Sequence, residues 1–124
     1  MILTCPLEYG TGSEQKEAYS WDSPEQKLVM MSKVDSNVRS CISATVVKAE
    51  PSEDNSYDIV INVKEFYFWY HGQMKPVVKV GQKVKAGQTL AIYIQGTELE
   101  FRMFKEEEMK DPREFLDCKA VKME

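Results

Sequence analysis

"VVKVGQKVKAGQTLAIYIQG", residues 77–96, carries two Gly-Gln pairs, Gly81-Gln82 and Gly87-Gln88, six residues apart. Each glycine suits the positive φ of a tight turn, with a short Lys-Val-Lys strand between them. Working outward, every neighbouring segment also reads as a short strand. "YDIVINVK" (57–64) alternates Ile59, Ile61 and Val63 against Asp58, Val60 and Asn62, the pattern of a half-buried strand. "EFYFWYHG" (65–72) follows with almost no spacer, so the two predict a tight hairpin. Five consecutive aromatics do not suit an amphipathic helix, whereas a strand covered on both faces accepts them. Alternation then sets Phe66, Phe68 and Tyr70 on one face and Tyr67, Trp69 and His71 on the other. "ELEFRMF" (98–104) sends Glu98 and Glu100 one way, Leu99 and Phe101 the other.

Upstream, "KLVMM" (27–31) and "NVRSCISATVVKAE" (37–50) predict strands, the second bending near Ser43-Ala44, and "PSEDNS" (51–56) is a turn. "KEEEMK" (105–110) reads as a solvated charged connection. "DPREFLD" (111–117) predicts a short helix capped by Asp111 with Pro112 at its first position. The fold class is therefore all-β, a small antiparallel sandwich or barrel-like module with one short C-terminal helix. A single domain is expected: an irregular segment over 1–24 packed on the sheet, a β core over 25–117, and a tail over 118–124.

Composition narrows the function classes. Of 124 residues, 43% are hydrophobic and 29% charged, an ordinary globular balance. A net charge of −4 argues against a nucleic-acid surface, where phosphates demand a concentrated basic patch. No apolar run approaches the roughly 20 residues needed to cross a bilayer, so no membrane partner is expected. The start, "MILTCPLEYG", lacks a basic region and reaches Glu8 too soon for a secretion signal, which favours a cytoplasmic location. Cys5, Cys41 and Cys118 are odd in number, far apart and without CxxC spacing. Buried, reduced thiols are the expectation, and a zinc ribbon is excluded.

The motif "VKVGQKVKAGQTLAIY" (78–93) resembles hammerhead-type β modules of two families, the biotinyl/lipoyl carriers and the lysostaphin-like (LytM-type) zinc endopeptidases. A carrier needs a modifiable Lys in an exposed hairpin, and the Met-Lys pairs at 74–75 and 109–110 lie outside it. The peptidase family continues into a Gly-x-His-x-His-Phe segment and an Asp-Pro-x-x-Phe-Leu ending. "GTELEFRM" (96–103) and "DPREFL" (111–116) occupy those places in the same order. "FYFWYHG" resembles that family's strand ending in Tyr-x-His, and "EQKLVMMSKVDSNVRSCISATVVKAE" (25–50) its His-x-Gly-x-Asp segment. The resemblance implies the duplicated hybrid motif fold and a zinc held by two His and one Asp. A further His pair would act on the metal-bound water that attacks an amide carbonyl.

Residue by residue, the resemblance puts the first ligand His on Glu25 and the ligand Asp on Val29. The non-ligand His of the His-x-His pair falls on Glu98 and the ligand His on Glu100. The His of Tyr-x-His falls on Gly72, beside His71, the only histidine of the chain. Each metal and catalytic position thus differs, which implies no catalytic residues, no metal and no cofactor. The expected role is a catalytically inactive, peptidase-like binding, regulatory or scaffold module. An unknown protein or peptide partner is implied, in cell-wall hydrolase or phage and mobile-element settings. Tyr67 and Trp69 are the candidate groove residues, and an exposed sheet edge offers a route to homodimerisation. The alternative is a metal binder or metal-dependent hydrolase using the replaced carboxylates Glu25, Glu98 and Glu100, with Asp22 nearby.

Overall fold

A computed structural model describes residues 1–14 and 26–118, and it is built of antiparallel strands. They are β1 (Thr11–Glu14), β2 (Leu28–Met31), β3 (Asn37–Arg39), β4 (Ala44–Pro51), β5 (Tyr57–Val63), β6 (Phe66–Gly72), β7 (Met74–Pro76), β8 (Lys83–Val84), β9 (Thr89–Tyr93), β10 (Glu98–Lys105) and β11 (Glu108–Lys110). The large sheet runs β1-β2-β10-β6-β5-β4-β8. β11 pairs with the far half of β10, on the edge whose near half is taken by β2. A smaller sheet, β3-β9-β7, contributes to the same core.

Alternation along the strands decides what enters that core. Ile59 and Ile61 of β5, Phe68 and Tyr70 of β6, and Leu99, Phe101 and Met103 of β10 are all buried. They meet Val38, Leu90, Ala91 and Tyr93 of the small sheet and Leu3 and Leu7 of the N-terminal segment in one cluster. Phe101 is its centre, with its ring 6.2 Å from Phe68 and 5.1 Å edge-on from Tyr70. Such pairs add about 0.5–1.5 kcal/mol beyond the area they bury.

The Gly-Gln pairs form two equivalent turns. Gly81 and Gly87 have φ of 93° and 84° at the third position of turns closed by Gln82 N–H to the Lys79 carbonyl and Gln88 N–H to that of Lys85. Each glutamine also reaches back, its Oε1 accepting from the backbone N–H of Lys79 (3.2 Å) or Lys85 (3.0 Å). A positive φ at that position explains the glycine, and the side-chain clasp explains the glutamine.

The structure corrects two expectations. "KEEEMK" is no simple connection: β10 and β11 form a hairpin across it, with Glu106 at φ 57° and its N–H donating 2.7 Å to the Glu65 carbonyl. Consecutive charges mask strand character, and a left-handed glutamate has no sequence signature. The expected short helix is a single 3-10 turn over Pro112–Glu114, with Asp111 as its cap.

The second correction concerns the cysteines. Cys5 and Cys118, 113 residues apart, form a disulfide, and Cys41 remains the free, buried thiol. Spacing along the chain does not reveal that the fold brings its ends together. Leu3 bridges Leu116, Leu3 N–H donates to the Phe115 carbonyl, and Asp117 N–H returns to Leu3, both at 2.8 Å.

Cys41 sits under Tyr70, whose hydroxyl accepts the Cys41 N–H at 2.8 Å. Burial pushes its thiol from 9.0 up to about 12. Above pH 9 the unfolded thiol therefore loses a proton that the native one keeps, so stability falls as pH rises. Urea unfolding at several alkaline pH values should show this decline, and Cys41→Ala should remove the part beginning near pH 9. The disulfide closes nearly the whole chain, so Cys5→Ser/Cys118→Ser should lower stability by about 3–5 kcal/mol in the same assay.

Candidate functional site

The exposed face of the large sheet carries polar side chains in two neighbouring rungs fixed by register. The first runs Val29, Glu100, His71, Asp58, Glu50 across β2, β10, β6, β5 and β4. The second runs Arg102, Trp69, Val60, Lys48, with Lys27 just before β2 in line with Arg102. The pleat puts residues two apart on one face, so a mainly acidic row lies beside a mainly basic one.

The rows neutralise each other. Lys27 Nζ lies 3.1 Å from Glu100 Oε1, and Arg102 Nη1 lies 3.4 Å from the same oxygen. Lys48 Nζ is 3.5 Å from Glu50 and 3.9 Å from Asp58, and stands 4.6 Å above the Trp69 ring. The Lys27 and Glu100 side chains are only 13% and 24% exposed, which shelters this pair from the screening that weakens surface ion pairs. Asp58 Oδ1 holds His71 Nδ1 at 2.6 Å. That contact fixes the ring and leaves Nε2 directed away from β5.

Three cavities line up along β6. The first, about 220 Å³, is walled by Val60, Tyr67, Trp69, Phe104 and Glu106. The next, about 230 Å³, shares Trp69 and adds Asp58, His71, Glu100 and Arg102. The third, about 320 Å³, shares His71 and Glu100 and is finished by Ser56, Gln73, Thr97 and Glu98. Together they make a trough that is apolar at one end, charged in the middle and lined by hydroxyl and amide groups at the other. From Tyr67 to Gln73 it extends about 20 Å at roughly 3.3 Å per residue.

The sequence-derived positions distribute as follows. Val29, Glu100 and His71 are brought side by side on one rung, and Glu98 lies one same-face step along β10, opposite Met31. Tyr67 and Trp69 line the trough. Gly72 points to the opposite face from His71, paired with core Leu99. A Cβ there would come 2.8 Å from the Glu98 carbonyl oxygen, so this position serves strand packing. Glu25 and Asp22 lie outside the described residues. Among the described residues, no group of three His, Cys, Asp or Glu side chains comes together to hold a metal ion.

Lys27, Lys48, Asp58 and Arg102 were not singled out from the sequence. Asp58 could have been: the tight turn at Lys64-Glu65 forces it opposite His71. Arg102 and Lys48 each stand two residues from a same-strand carboxylate, Glu100 and Glu50, a same-face spacing that could have flagged them, whereas Lys27 meets Glu100 only across strands.

No protein-family model matches the sequence, and no curated protein matches it. Solved structures do. Csd3 from Helicobacter pylori superposes with a TM-score of 0.78 at 19% identity, over 95% of this chain and 34% of that one. The chain thus spans about a third of that relative. The catalytic domain of the antimicrobial peptidase lysostaphin from Staphylococcus simulans gives 0.59 at 24% identity, over 86% and 88% of the two chains. A chain of the SpoIIQ-SpoIIIAH pore forming complex gives 0.70 at 15% identity, over 98% and 95%. The fold of this chain is that of the lysostaphin-like peptidase domains.

Proposed function

We propose that this chain is a non-hydrolytic form of the lysostaphin-like fold, a binding or scaffold module whose trough receives an extended peptide. Glu100 carries the reading. The resemblance puts a zinc-ligating imidazole at this position, and here a carboxylate is turned to Lys27 and Arg102. These side chains supply from within the protein the positive charge that a metal would otherwise provide. Val29, at the position of the ligand aspartate, has no donor atom and is buried. His71 is turned to Asp58 in place of a second imidazole.

The trough supports the ligand class. Its length matches about six residues of extended chain. Its apolar end suits a bulky side chain, and its middle and far end offer partners for backbone amides and charged groups. Participation of a same-fold chain in the SpoIIQ-SpoIIIAH complex supports a role in assembly. The Cys5–Cys118 bond supports an oxidising compartment, in place of the cytoplasmic one expected from the N-terminal sequence.

Purified protein should hold no stoichiometric metal and should leave glycine-rich cross-bridge peptides uncut with or without added Zn²⁺. The same peptides, titrated by calorimetry, should bind saturably. Trp69→Ala should weaken that binding about tenfold, or ~1.4 kcal/mol, while leaving the thermal transition in place. Cleavage with a retained metal would overturn the reading in favour of a hydrolase using the replaced carboxylates.

A further inference from the structure

A cavity of about 470 Å³ lies away from the trough, where the Cys5–Cys118 disulfide ties the ends of the chain together. Glu8, Tyr9, Arg39 and Asp117 share its lining with the two cysteines. The walls are held from several sides. The backbone N–H groups of Glu8 and Tyr9 donate to the Asp35 carboxylate at 3.0 and 2.9 Å. Arg39 N–H donates to the Pro6 carbonyl at 2.9 Å, and its Nη2 donates to the Cys5 carbonyl at 3.0 Å. With the disulfide, these contacts make a pre-formed pocket that a ligand need not organise.

Its charges are incompletely matched. Arg39 Nη2 meets only a carbonyl, and its Nε is buried without an acceptor. Among the described residues no carboxylate comes within 4 Å of that guanidinium, although Glu8 and Asp117 line the same cavity. Glu8 likewise has no cation within ion-pair distance among the described residues. A guanidinium and a carboxylate thus border one cavity without reaching each other. A bare anion would be drawn to Arg39 and repelled by Glu8, whereas a bare cation would meet the reverse. A molecule carrying both charges a few bonds apart satisfies both walls.

We propose that this cavity binds the zwitterion of an amino acid or dipeptide, its carboxylate on Arg39 and its ammonium at Glu8. The ligand carboxylate would meet the guanidinium charge and the Nη hydrogens not given to the Cys5 carbonyl, since the buried Nε is out of reach. Tyr9, 68% exposed at the rim, supplies an aromatic surface against the ligand backbone.

Glycylglycine is the probe, titrated by calorimetry into the full chain with its disulfide intact. Saturable binding is expected, with glycinamide (no carboxylate) and acetylglycine (no ammonium) each at least tenfold weaker. Glu8→Gln, at an exposed position, should abolish the preference for glycylglycine over acetylglycine. Arg39→Lys should weaken both ligands that carry a carboxylate. Trp69→Ala should leave glycylglycine binding unchanged, which keeps this site distinct from the trough. Absence of saturable glycylglycine binding would overturn the proposal. So would acetylglycine or inorganic phosphate binding as tightly as glycylglycine, which would mark a simple anion site.

Discussion

The position of β10 between β2 and β6 is the constraint from which the rest follows. β10 is paired along both edges, so its register is fixed twice, and each alternate side chain is committed to one face. On the inner face Phe101 packs against Phe68 and Tyr70, a contact that a one-residue slip would replace with Glu100 or Arg102. Burying either charge against aromatic rings costs several kcal/mol, so the core locks the outer face into register. The two charged rungs of the trough are a consequence of the hydrophobic core beneath them.

That outer face is electrostatically self-sufficient. Lys27 and Arg102 satisfy Glu100, Lys48 spans from Glu50 and Asp58 to the face of Trp69, and Asp58 orients His71. In a metallopeptidase the cation is the largest local charge and the side chains are arranged to serve it. Here lysine and arginine side chains pair with the carboxylates of that face. The inner face sets the register of the framework and the outer face carries the site, so the fold by itself does not fix a reaction.

Two regions are ordered in different ways. Around the Gly-Gln turns, order comes from local chemistry, a positive φ and a glutamine clasp repeated twice. Where residues near the two ends of the chain meet, order comes from the Cys5–Cys118 bond, a bridge between Leu3 and Leu116, and the Asp35 clamp on Glu8 and Tyr9. Stability there comes from contacts between residues far apart in sequence, and the same contacts build the cavity beside Arg39.

The sequence by itself determined whatever depends on periodicity and turn chemistry. The alternation of Ile59, Ile61, Phe68, Tyr70, Leu99 and Phe101 fixed the core faces, and glycines 81 and 87 fixed the turns. The hairpin at Lys64-Glu65 already implied that His71 faces Asp58. Only the tertiary structure decided that Glu100 meets Lys27, 73 residues away, or that Cys5 meets Cys118. Single charges and thiols have no period, so nothing local announces their partners. The hairpin hidden in "KEEEMK" was missed because β11 is selected by pairing with β10 and by the Glu106–Glu65 backbone bond, both of which exist only once the sheet has formed.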